Sequence, residues 1–169
     1  MGLKIKDLHF YSRSFFIKLT IFTIEFLNII GDNIIMKITE LGEYLYLFGN
    51  DIRVLHLLAK GDEFLTIHTE LNDLYDEVFD FYDFATESGI AHDEEITNPS
   101  VLADKHSDWI PLEVKDFTLE EIKNYVMENG NYILQCCDDV KDYERFVISG
   151  VDGFSEKLDK IINYRIARM

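Results

Sequence analysis

This chain of 169 residues is strongly acidic: 32 Asp and Glu oppose 16 Lys and Arg, which gives a formal net charge of −16 at pH 7. Such a charge repels nucleic acid at long range and attracts cations, so DNA and RNA partners are disfavoured. The length allows one domain with a sizeable core. The two cysteines, Cys136 and Cys137, are adjacent and form no Cys-x-x-Cys motif, which disfavours a cysteine metal site and indicates reduced thiols in a cytoplasmic protein.

Residues 1–35 differ in character from the rest. The segment Phe15–Ile30, FFIKLTIFTIEFLNII, is apolar and rich in β-branched residues, but Lys18 and Glu25 interrupt it. No apolar run therefore reaches the roughly 18–20 residues that cross a bilayer. Because a clean helical pattern begins after Met36, we expect Met36 to be the natural start and 1–35 to be an upstream translated extension. The alternatives are a membrane anchor, which would require 1–35 to be native, and an extra helix covering the bundle.

The rest of the chain, 36–169, reads as four helices. Thr39 can cap the first, whose apolar residues recur at 4-3-4-3 spacing: Leu41, Leu45, Phe48, Ile52, Leu55 and Ala59. Gly61 ends it and Asp62 can cap the second, from about Glu63 to Ile90, whose apolar stripe is Phe64, Ile67, Leu71, Leu74, Val78, Phe81 and Ala85.

A long connection from Ala91 to Phe117 contains both prolines and predicts a crossover with a short helix of its own. Thr118–Glu121 is a capping box for the third helix. A turn near Asp142 precedes the fourth, whose apolar residues are Phe146, Phe154, Leu158, Ile161, Ile162 and Ile166. The pattern predicts an all-α fold, a four-helix bundle with a long crossover between helices two and three.

Four residues of metal-ligating type are spaced as H-x11-H-x14-D-x3-E: His56, His68, Asp83 and Glu87. Asp83 and Glu87 point the same way on a helix. His68 and Asp83 lie about 22 Å apart along the second helix, at about 1.5 Å per residue. One metal ion cannot bridge that distance, since its ligand bonds are about 2 Å long. We therefore expect the two histidines of one chain to meet the two carboxylates of a symmetry mate.

A di-iron site inside a single bundle needs Glu-x-x-His on two helices. None of the five histidines has Glu three residues before it, so the sequence excludes that site.

The remaining pattern resembles the Dps family (DNA protection during starvation), the dodecameric mini-ferritins. In that family a histidine ends the first helix, and a turn with Gly and Phe leads to L-H-x-x-[FL]-x-x-L-Y-[DE] in the second. Here this stretch is HLLAKGDEFLTIHTELNDLYDE, residues 56–77, and the family's later D-x-x-x-E pair matches Asp83 and Glu87. The chain departs from the family at Leu57, where an aromatic residue is common, and at Asn72, where an acidic residue is common.

The resemblance implies a ferritin-like bundle in 36–169 and a homo-oligomer, a dodecamer with its sites on two-fold axes. It implies that His56 and His68 of one chain, with Asp83 and Glu87 of the two-fold mate, bind Fe(II), oxidise it with hydrogen peroxide or dioxygen, and store the ferric product. This ferroxidase activity would protect against peroxide. The alternative is a non-catalytic helical oligomer with a structural or interaction role.

Overall fold

In a computed structural model the described part of the chain, residues 35–60 and 64–169, is helical and contains no strand. The helices are α1 (Ile38–Leu58), α2 (Phe64–Ala91), α3 (Leu102–Lys105), α4 (Leu119–Asp139) and α5 (Arg145–Asp159). A 3₁₀ turn, Pro99–Val101, precedes α3, and a π turn (Lys160–Arg165) and a 3₁₀ turn (Ile166–Arg168) continue α5. The prediction of an all-α fold is confirmed, and the connection between α2 and α4 contains the short helix α3. None of the described helices is long and apolar enough to cross a membrane.

The four long helices pack in pairs: α1 contacts α2 and α4, and α5 contacts the same two helices. The predicted stripes of α1 and α2 form the core between them, and all of their members with a described side chain are buried. Phe81 of α2 stacks on Phe154 of α5 with ring centroids 4.2 Å apart, and Gly130 of α4 lets Ile162 approach closely. Burial of these apolar side chains is the main source of stability.

The amino-terminal end of α1 differs from the prediction. Thr39 does not cap the helix, because the cap position is Lys37, whose side chain makes no cap hydrogen bond. Two distant side chains take that role. The carboxylate of Glu94 accepts hydrogen bonds from Thr39 N (3.1 Å) and Thr39 Oγ1 (2.6 Å), and the Tyr143 hydroxyl accepts one from Ile38 N (2.8 Å). They satisfy backbone donors that a helix start leaves unpaired.

The other predicted boundaries fit the structure more closely. Thr118 and Glu121 form the capping box of α4, and Asp142 adopts a positive φ of 64° in the turn before α5. The predicted helix end at Gly61 and the predicted cap Asp62 lie outside the described residues. The same is true of the predicted extension 1–35, except for Ile35. Phe146, one of the apolar residues of the predicted fourth helix, is 74% exposed and lies outside the core. It lies about 100° around the helix from buried Val147.

Candidate functional site

His56 lies in the last turn of α1, next to the core stripe, and its side chain is half-buried. The helix ends at Leu58, and the backbone N–H of Ala59 bonds to the Leu55 carbonyl. Carbonyl groups in the last turn of a helix lack the donor that the next turn would supply. The carbonyl of His56 is therefore available to a neighbouring segment.

His68, near the start of α2, uses that carbonyl. Its Nδ1 lies 3.1 Å from the carbonyl oxygen of His56. A carbonyl only accepts, so Nδ1 is the donor in this contact, and whenever the ring is neutral its lone pair is on Nε2. Histidines that bind metals in proteins are commonly oriented in this way, by a hydrogen bond from the second nitrogen to a carbonyl or carboxylate.

The two imidazole rings stack, with centroids 3.7 Å apart and planes inclined by 25°. Burial lowers the pKa of His56 below its ordinary value of 6.5, the charge of His68 lowers it further, and the carboxylate of Asp76 opposes both effects. His56 is therefore neutral at pH 7, which is the form in which imidazole binds a metal ion. Two apolar residues, Leu57 (69% exposed) and Leu65 (74% exposed), lie close to the pair in sequence.

Asp83 and Glu87 are exposed on α2, one turn apart. Asp83 lies about 22 Å from His68 along the same helix, at about 1.5 Å per residue, and Glu87 lies one turn further away. The chain thus brings the two histidines together and leaves the two carboxylates separate. Within the described residues no group of three or more His, Cys, Asp or Glu side chains could hold a metal ion. An intersubunit site remains a prediction, since it needs a second copy of the chain.

Between the histidines and the carboxylates, four half-buried aromatic side chains pack against one another across α1 and α2. Ring centroids are 4.7 Å apart for Tyr75 and Phe79, 5.5 Å for Tyr46 and Tyr82, and 6.0 Å for Tyr46 and Phe79. Phe79 also fills the space that Gly49 leaves open. This side of α2 therefore offers partly exposed aromatic surface.

The outward face of α2 carries more carboxylates than the predicted pair. Asp73, Asp76 and Asp80 precede Asp83 and Glu87 at alternating spacings of three and four, and all five are exposed. Residues at these spacings share a helix face. A solvated acidic face would have the same pattern, so the position of Asp83 and Glu87 alone does not distinguish ligands from surface residues.

The structure also contains buried polar groups that sequence reasoning missed. His106 Nε2 lies 2.5 Å from Oε2 of Glu43, and each side chain is at least nine-tenths buried. Lys105 Nζ lies 2.7 Å from the other oxygen of Glu43. Burial alone would raise the pKa of Glu43, but the hydrogen bonds from Lys105 and Thr97 outweigh it and the pKa lies below its ordinary value. This ion pair attaches the crossover to α1.

A second set of carboxylates holds the crossover against α1 and α4. Asp51 accepts hydrogen bonds from Trp109 Nε1 (3.0 Å) and the Tyr125 hydroxyl (2.5 Å). Asp108 accepts bonds from the hydroxyls of Tyr44 (2.8 Å) and Tyr132 (3.0 Å). The sequence offers two signals for this arrangement, Asp51 inside the first helix and the lone Trp109. Neither signal shows which side chain the residue bonds to.

No family model, curated protein or solved structure matches this chain.

Proposed function

We propose that this protein is a ferritin-like, Dps-type iron-oxidising protein, in which His56 and His68 of one subunit and Asp83 and Glu87 of a two-fold mate bind Fe(II). The observation that carries the proposal is the histidine pair. Two half-buried rings stack, burial and mutual repulsion favour the neutral form of His56, and a backbone carbonyl orients His68.

A two-fold pairing of antiparallel α2 helices would bring the two half-sites together. An axis near Asp76 would set His68 of one subunit opposite the Asp83–Glu87 turn of its mate. Exposed apolar residues lie near both ends of that face, Leu65 beside the histidines and Ile90 (58% exposed) beside Glu87. In such a pairing each apolar end would cover the other, and burial of apolar surface favours association.

The same pairing would bring carboxylates of the two subunits close to the axis. Asp73, Asp76 and Asp80 are exposed on this face, and like charges repel unless a cation lies between them. Binding of Fe(II) by groups from both subunits would therefore strengthen the dimer, because a ligand that binds only the associated form favours it.

Chemically, imidazole and carboxylate ligands hold Fe(II) and leave coordination positions open for an oxidant. Hydrogen peroxide would then take one electron from each of two Fe(II) ions and two protons from solvent, and would be reduced to two water molecules. Carboxylates on the inner surface of an oligomer would collect the ferric product. The sequence suits this role, since its acidic charge attracts cations.

Anaerobic titration with Fe(II), followed by addition of peroxide, tests the proposal. We expect His56→Ala to abolish fast oxidation, and Asp83→Asn combined with Glu87→Gln to do the same, while the helical content stays unchanged. Two matched controls should keep the wild-type rate: His92→Ala, a half-buried histidine elsewhere, and Asp80→Asn, an exposed carboxylate of the same face. Equal rates in all variants would contradict the site assignment.

A non-catalytic helical oligomer is the second candidate. The five-carboxylate face of α2 favours it, because a solvated surface explains that face without a metal. An oligomeric wild type that oxidises Fe(II) no faster than the same Fe(II) and peroxide without protein would support this candidate.

A further inference from the structure

Four oxidisable aromatic side chains surround the junction of α1, the crossover and α4, away from the candidate metal ligands in sequence: Tyr44, Trp109, Tyr125 and Tyr132. Ring centroids are 6.2 Å apart for Tyr44 and Trp109, 6.2 Å for Trp109 and Tyr132, and 5.4 Å for Tyr44 and Tyr132. Trp109 and Tyr44 are buried, with 5% and 6% of their surface exposed. Electrons tunnel rapidly between aromatic rings at such separations.

Each of these side chains donates its acidic hydrogen to a carboxylate. Trp109 and Tyr125 bond to Asp51, and Tyr44 and Tyr132 bond to Asp108. A phenol or indole that loses an electron becomes a much stronger acid, so an adjacent base makes its oxidation easier. Burial raises the pKa of all three phenols, which keeps the hydroxyl groups protonated and donating.

We propose that this cluster is a one-electron sink, in which an oxidising equivalent that reaches Trp109 moves to the Tyr44–Tyr132 pair and is held there. The oxidant is a strong one-electron acceptor, such as a small inorganic radical or the excited state of an added dye. It removes one electron from Trp109, and the Nε1 proton moves to Asp51. Tyr44 or Tyr132 then returns one electron to Trp109 and gives its hydroxyl proton to Asp108, while Trp109 recovers its proton from Asp51.

The arrangement of the two carboxylates favours the direction of this transfer. Asp51 accepts one proton, so Tyr125 cannot give its own proton to Asp51 while that of Trp109 is there. Tyr44 and Tyr132 have a separate acceptor in Asp108, which is exposed and can exchange the proton with solvent. The oxidising equivalent is therefore held on the Tyr44–Tyr132 pair, which shares Asp108 as its proton acceptor.

Trp109 is the only tryptophan of the chain, which makes the test specific. Flash photo-oxidation at the red edge of the tryptophan band, where tyrosine does not absorb, creates the radical at Trp109. We expect its absorption to decay in a concentration-independent step while tyrosyl absorption rises at the same rate. In the double variant Tyr44→Phe, Tyr132→Phe the step should slow by about tenfold or more, the effect of a barrier about 1.4 kcal/mol higher.

Two further variants keep the test decisive. Asp108→Asn retains both phenols and an amide oxygen that can accept their hydrogen bonds, but it removes the base, so it should slow the transfer as well. Tyr82→Phe, outside the cluster, should leave the rate unchanged. The proposal is wrong if the Trp109 radical decays equally fast in Asp108→Asn and in the wild type, or if no tyrosyl signal appears. The test needs no iron, so its result is independent of the proposed iron chemistry.

Discussion

Two histidines at the junction of α1 and α2 are held by different means. A hydrogen bond to the His56 carbonyl fixes the tautomer of His68, whereas burial and repulsion by its neighbour determine the charge of His56. The sequence predicted both residues as ligands from their spacing. It could not predict that they stack, because the stack depends on where α1 ends and on the path of the chain to α2.

The lowered pKa of His56 predicts how stability depends on pH. Below its ordinary value of 6.5 the unfolded chain binds a proton that the folded protein resists, so the free energy of unfolding falls as the pH decreases. This penalty is absent well above pH 6.5, grows as the pH falls from 6.5 to the lowered pKa of the folded protein, and is constant below that. In His56→Gln we expect a shallower fall over this range, measured by urea unfolding at a series of pH values. If the free energy of unfolding depended on pH in the same way in His56→Gln and in the wild type, the prediction would be wrong.

At the scale of helices, two glycines of α5 have opposite roles. A Cβ at Gly150 would lie 2.4 Å from the ring of Phe84, whereas one at Gly153 would meet nothing within 4 Å. From sequence alone both glycines weaken the helix equally. The structure separates them, because Gly150 permits close packing of α5 on α2.

We therefore predict opposite effects of the same substitution. Gly153→Ala should raise the free energy of unfolding by about 0.5–1 kcal/mol, since alanine loses less backbone entropy in a helix. Gly150→Ala should lower it by about 1–2 kcal/mol, because overpacking against Phe84 outweighs that gain. Urea midpoints of the two variants against the wild type measure both. Stabilisation by Gly150→Ala would show that the Phe84 ring moves aside at no cost.

Local signals predicted most helix boundaries, and they failed where the determinant is distant in sequence. The Thr118–Glu121 capping box spans four residues, and its prediction is confirmed. The groups that cap α1 belong to Glu94 and Tyr143, far along the chain, and for this reason the prediction of Thr39 as the cap is wrong. Burial would raise the pKa of Glu94, but hydrogen bonds from Thr39 and Tyr143 lower it below its ordinary value. The hydrogen bond between Glu43 and His106 could not be predicted either, because the two residues lie far apart in sequence.

For the whole molecule, periodicity predicted the all-α fold and the buried stripes, because apolar spacing reports directly on the face that packs. It could not predict contacts between subunits.

A chain that begins at Met36 should fold like the full chain. Each long helix has a buried stripe within 36–169, so we expect equal helical content and an equal melting temperature. The full chain should aggregate more, because Phe15–Ile30 combines Phe, Ile and Thr with only two charges. Thermal melts and light scattering of both chains provide the measurement. A much lower melting temperature for the shorter chain would mean that residues 1–35 contribute to the fold.

The central claim is that one metal site takes ligands from two chains, and complementation tests it most directly. One variant lacks the histidines (His56→Ala, His68→Ala) and the other lacks the carboxylates (Asp83→Asn, Glu87→Gln). Each alone should be inactive in peroxide-dependent Fe(II) oxidation. In a heterodimer one of the two sites has all four native ligands, so we predict about half of the wild-type rate per heterodimer. Heterodimers that form by mass and remain as inactive as the parents would contradict the intersubunit site.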